Sequence, residues 1–141
     1  MRRGIATLVL VLGLAAPIGS APRANPDAGN QRGAYVTALQ RGDYVTALRV
    51  IRPLAEEGDA FAQLALGVMY LNGWNTPRDY VQARKWFNLA SSRSPPGRDH
   101  DAAVLGRNIV AASMTPTQID EAQKLTQEWF DDLLRRDGVR P

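Results

Sequence analysis

The pentapeptide Asp43-Tyr44-Val45-Thr46-Ala47 returns thirty-six residues later as Asp79-Tyr80-Val81-Gln82-Ala83. A shorter echo precedes it, because Gly33-Ala34-Tyr35-Val36-Thr37-Ala38-Leu39 is restated as Gly42-Asp43-Tyr44-Val45-Thr46-Ala47-Leu48. A period in the mid-thirties is the length of one helix–turn–helix unit of an α-solenoid. Such a unit cannot bury its own apolar face and is stable only when stacked on its neighbours. No useful length of chain alternates with a period of two, so strands are not expected.

Capping residues divide the chain further. Asp43 opens one helix, and Asp59 opens another directly after Gly58, which stands where a helix-ending glycine belongs. Asp79 with Gln82 has the spacing of a capping box. Ser94-Pro95-Pro96-Gly97 is a break, with Asp99 as the cap of the next helix. Thr115-Pro116-Thr117-Gln118 combines a cap, a proline at the first helical position and a returning amide. These signals predict helices over 31–40, 43–57, 60–72, 79–92, 99–113 and 116–136. The expected fold is all-α, a solenoid of about three antiparallel pairs. The helix over 60–72 is apolar on nearly every side (Phe61, Ala62, Leu64, Ala65, Leu66, Val68, Met69, Tyr70, Leu71), so it belongs in the middle of the stack. The last helix instead carries one stripe of Ile119, Ala122, Leu125, Trp129, Phe130 and Leu133. Ion pairs Asp131–Arg135 and Asp132–Arg136 are expected on its outer face, as suits a terminal cap. Pro53 falls inside the 43–57 helix and predicts a kink near Arg49–Pro53.

The N-terminus reads differently. Arg2 and Arg3 precede an uncharged, mainly apolar run from Ile5 to Ala16, followed by Pro17 and the small residues Gly19, Ser20 and Ala21. That is the pattern of a secretory signal over 1–21, with an apolar helix too short to span a bilayer. A leader rich in Pro, Gly and Asn follows over 22–30, then the helical domain over 31–136 and a tail over 137–141. Pro22 after the small residues is unfavourable for cleavage, so an uncleaved, membrane-anchored form stays open beside the processed one. The formal charge of +3 does not point to nucleic acid. Arg2, Arg3 and Arg23 are the only charges before residue 25, and the remaining fourteen Lys and Arg are balanced by fourteen Asp and Glu. Phosphate backbones are recognised by clustered, unbalanced cations. With no cysteine, disulfides, thiolate metal sites and thiol nucleophiles are excluded.

The series Ala62, Leu66-Gly67, Tyr70, Gly73, Asp79, Ala83, Trp86-Phe87 and Ala90 resembles the Sel1-like repeat, a relative of the tetratricopeptide repeat. The resemblance is densest over 59–93 and looser over 33–130. Gly67 and Ala83 are small where paired helices approach, Tyr70 and Trp86 fill the wedge between layers, and Gly73 serves the turn. The sequence departs from the family at Asn75 and Thr76, where glycine and valine are usual; Asn tolerates left-handed backbone. The resemblance implies a scaffold for protein–protein contact; together with the signal pattern, the expectation is an exported bacterial protein, in the periplasm, the cell envelope or outside the cell.

Nothing in the chain assembles a reaction centre. His100 between Asp99 and Asp101 reads as a solvated first turn. Glu56-Glu57 and Asp131-Asp132 are adjacent on helices and point apart. No cofactor, metal or catalytic residue is therefore expected, and the chain reads as non-enzymatic. Candidate partner-binding residues are Trp74 and Arg78 in the 73–78 turn, with Tyr35 and Phe61. Trp74 either forms a contact hot spot or folds back on Tyr70 or Trp86. The leading expectation is a non-catalytic adaptor or regulator. The alternatives are a glycan- or cell-wall-binding accessory subunit, using Trp74, Tyr35 and Arg78 for stacking, and weak homodimerisation through exposed solenoid ends.

Overall fold

The computed structural model describes residues 25–138. The signal segment expected over 1–21 lies outside these residues. Six helices are present among them: α1 (Ala28–Gln40), α2 (Tyr44–Glu56), α3 (Ala60–Asn72), α4 (Tyr80–Arg93), α5 (Arg98–Ala111) and α6 (Pro116–Arg136). No strand occurs among the described residues.

The helix starts follow the capping chemistry. The carboxylates of Asp43, Asp59 and Asp79 accept the backbone N–H groups of Thr46, Ala62 and Gln82 at 3.0, 2.9 and 3.0 Å. Each satisfies a donor that has no partner inside its own helix. At α6 the box is complete: the Thr115 hydroxyl accepts from Gln118 N–H and the Gln118 side chain accepts from Thr115 N–H. At α4 only the Asp79 half of the expected box forms. Two boundaries differ from expectation. Helix α5 begins after Gly97, which has no capping side chain, and Asp99 lies with Asp101 in its first turn. There both carboxylates favour the positive end of the helix dipole instead of capping it. Helix α1 begins at Ala28, inside the expected leader, because Asn25 builds a turn ahead of it. The Asn25 side chain accepts Asp27 N–H at 2.9 Å and its carbonyl accepts Ala28 N–H at 3.0 Å. Helix α2 continues through Pro53 to Glu56.

The turns are short, so successive helices reverse and lie side by side. Helix α1 packs on α2, α2 on α3, and α3 most extensively on α4. A first core cluster joins these layers through Ile51, Leu54, Leu66, Met69, Trp86 and Leu89, all buried. Gln63 is wholly buried among them. Its side-chain N–H donates to the Ala55 carbonyl at 3.1 Å, so it serves the end of α2. The expected encirclement of α3 is thereby realised, with α2, α4 and α5 against it.

The last layer departs from the expected third pair. Helix α5 packs on α4 and α3, whereas α6 lies along α4 and scarcely approaches α5. The amphipathic stripe of α6 explains this: it carries Trp129 into the first cluster, where Leu133 and Phe130 cover it. Helix α5 belongs to a second cluster of Ala83, Phe87 and Val110, flanked by Leu64, Val68 and Met114. On the outer side of α6 the pairing is Asp132–Arg135, while Asp131 accepts from Gln127 at 3.0 Å. Neither expected i,i+4 ion pair, Asp131–Arg135 or Asp132–Arg136, forms: the Asp132 carboxylate meets Arg135 at the i,i+3 spacing, which the same helix surface also allows, and Arg136 Nε donates to the Asp132 backbone carbonyl at 3.4 Å.

Candidate interaction surface

The turn between α3 and α4 is built on backbone hydrogen bonds. Gly73 ends α3 in the left-handed conformation at φ 70°, and Trp74 N–H returns to the Met69 carbonyl at 3.0 Å. Asp79 N–H then reaches back to the Tyr70 carbonyl at 3.1 Å. Asn75 also has positive φ, 55°, so this asparagine takes the left-handed position expected of it. The turn directs Trp74 backwards over the start of α2. Its ring stacks on Tyr44 with centroids 5.0 Å apart and planes 9° from parallel. The ring does fold back, but onto an aromatic of the preceding layer and not onto Tyr70 or Trp86.

The other candidates lie elsewhere. Tyr35 is 5 % exposed and meets Phe61 edge-on at 6.0 Å. Arg32 lies over the opposite partner, 5.2 Å from the Phe61 centroid, and forms an ion pair with the capping Asp59. Tyr35, Phe61 and Arg32 therefore fasten α1 to the start of α3, and burial pushes the Tyr35 hydroxyl up to about 12. A ring so enclosed offers no face for a stacked sugar, which corrects its expected place in a ligand surface. Arg78 is exposed at the end of the turn. Four candidate residues thus fall into three places: a buried α1–α3 joint, a stacked turn and one outward cation.

The repeat residues are packing residues. Ala62, Leu66, Ala83 and Ala90 are wholly buried, and Trp86 is nearly so. Gly67 lies against the Phe87 ring so closely that a Cβ there would come within 2.8 Å of it. Tyr70 is half-buried and its hydroxyl accepts from Arg52 at 3.3 Å. Arg93 ties three elements together. Its Nε donates to the Gly58 carbonyl at 2.8 Å and its guanidinium lies 5.5 Å from the Trp129 ring centroid.

Two features escaped the sequence reading. Leu105 and Ile109 are exposed on α5, 60 % and 51 % respectively, in line with exposed Ala102 and Ala112. At i, i+3, i+7 and i+10 this stripe reads in sequence as a core face. It is bare because α6, which follows α5 in the chain, packs on α4. Arg84 and Arg107 also meet between α4 and α5, a proximity that spacing alone does not show. His100 is partly buried on α5. Among the described residues no group of three His, Asp or Glu is placed to hold a metal, and no helix is long and apolar enough to cross a membrane.

Stacked helix hairpins joined through small residues and wedged aromatics have the form of a helical-repeat solenoid. Within it, residues 60–95 match the Sel1 repeat family model, the span of α3, the Trp74 turn and α4. This match covers the densest part of the resemblance noted over 59–93. No curated protein and no solved structure matches the chain.

Proposed function

We propose that the chain is a non-catalytic scaffold, an adaptor or regulator that binds another protein in the bacterial periplasm or cell envelope. Sel1 repeats generally mediate protein–protein contact, and the match over 60–95 is the observation that carries the proposal. The repeat residues themselves are consumed by packing, so binding falls to what projects from the stack. Among the described residues the large apolar side chains left exposed are Val36, Val45, Leu105, Ile109 and Leu134. The N-terminal pattern of Arg2, Arg3 and the Ile5–Ala16 run supports export.

Crosslinking in intact cells that produce the full-length chain, followed by mass spectrometry, tests the proposal. One partner recovered reproducibly, and lost when Leu105 and Ile109 are both changed to Ser, is the expected result. A folded chain that recovers no specific partner in repeated trials defeats it. Fractionation of the same cells with N-terminal sequencing tests export, and an intact cytoplasmic product refutes that part.

A further inference from the structure

Helix α4 contains Arg84, Lys85 and Arg93 but no acidic residue, and α3 beside it carries no charge at all. Arg84 Nη1 donates to the backbone carbonyl of Arg107 on α5 at 3.0 Å. This bond holds the Arg84 guanidinium against the residue that bears a second one. Among the described residues neither arginine takes part in an ion pair. The Arg84 Nε–H is buried and has no acceptor. Burial, and secondarily the Arg107 charge, hold the Arg84 pKa below its ordinary value. Two cations held together without an anion repel each other, and a buried donor without an acceptor is costly. His100 lies two turns before Arg107 on the same flank of α5, and its Nδ1 is likewise buried and unpaired.

We propose that Arg84 and Arg107 form a binding site for an oxyanion, a carboxylate or phosphate group, on the flank where α4 meets α5. The planar guanidinium fork matches the paired oxygens of either group, and an anion there supplies an acceptor and neutralises both cations. The site is independent of the apolar stripe on α5, so a protein partner can be captured whether or not this site exists.

The test follows the Arg84 Nε–H resonance of the 15N-labelled full-length chain. Inorganic phosphate and a tetraglutamate peptide are titrated separately, with sodium chloride at matched ionic strength as the control. A saturable shift, absent with chloride and weakened about 10-fold or more by Arg107→Gln, is expected. That variant retains the backbone carbonyl that Arg84 uses, and circular dichroism verifies its fold. Lys124→Gln removes an exposed cation of α6 and should leave the affinity unchanged. Saturation by tetraglutamate assigns the site to the carboxylates of an acidic polypeptide; saturation by phosphate alone assigns it to a phosphate ligand. The proposal is overturned by the absence of any saturable shift, or by equal weakening in the Lys124 and Arg107 variants.

Discussion

The Phe87 ring is gripped between two glycines, one on each neighbouring helix. A methyl group at Gly106 would lie 2.7 Å from Cε1 and Cζ of the ring, and one at Gly67 would lie 2.8 Å from Cδ1 and Cε1. Phe87 is 1 % exposed, so the ring has nowhere to retreat. Gly106→Ala therefore sets two effects against each other. Overpacking a tight core costs about 1–3 kcal/mol, whereas replacing a mid-helix glycine by alanine returns about 1 kcal/mol. The net expectation is a loss of about 1 kcal/mol, which in a domain of this size lowers the melting temperature by roughly 4–8 °C. Gly33→Ala is the matched control. It also sits within a helix, but a Cβ there meets nothing within 4 Å. It should raise stability by about 0.5–1 kcal/mol, because only the helix propensity changes. Adding Phe87→Leu to Gly106→Ala should cost less than the two changes summed, since the smaller side chain relieves the clash. Urea unfolding followed at 222 nm measures all four variants. If Gly106→Ala gains as much stability as Gly33→Ala, the ring is not gripped and the close packing of α4 against α5 is wrong.

Three further outcomes follow from the same contacts. Arg93→Met keeps the aliphatic stem but loses the bond to Gly58 and the charge over Trp129, and should cost about 1–2 kcal/mol with altered tryptophan emission; a loss below about 0.3 kcal/mol would show that α6 is held without it. Trp74→Ala should cost about 1 kcal/mol from the Tyr44 stack in addition to lost burial, and Trp74→Phe should restore most of it; equal losses in the two variants would contradict a stacked ring. The Tyr35 hydroxyl, with its folded-state pKa raised, keeps its proton while an unfolded chain releases it. Its contribution is thus fully present below pH 10 and is lost between there and about pH 12. Ultraviolet titration should show Tyr35 ionising last, and Tyr35→Phe should flatten this part of the stability–pH curve; an unaltered curve would place the ring in water.

Much of the fold was legible because its causes are local. A carboxylate three residues ahead of a free N–H caps a helix wherever the helix lies, so Asp43, Asp59 and Asp79 marked their starts correctly. The apolar circumference of α3 required neighbours on several sides, and it has them. Asparagine tolerates the left-handed position of the turn, and Asn75 takes it. Asp99 misled because a carboxylate favours a first turn almost as well as a cap. Tyr35 misled because an aromatic on a helix at the edge of the described stack reads alike whether it is bare or covered, and only the approach of Phe61 decides.

The helical periodicity, the breaks between helices and the repeat of α3 and α4 follow from short-range rules, which depend on residues within a turn or two. Which surfaces remain open does not, because exposure is settled by partners distant in sequence. The placing of α6 on α4 is the clearest instance: it buries Trp129, sets that ring beside the Arg93 guanidinium, and bares Leu105 and Ile109. The meeting of Arg84 with Arg107, twenty-three positions apart, is a second. Hydrophobic burial has no direction, so an apolar stripe shows that a helix can be covered but not which neighbour covers it.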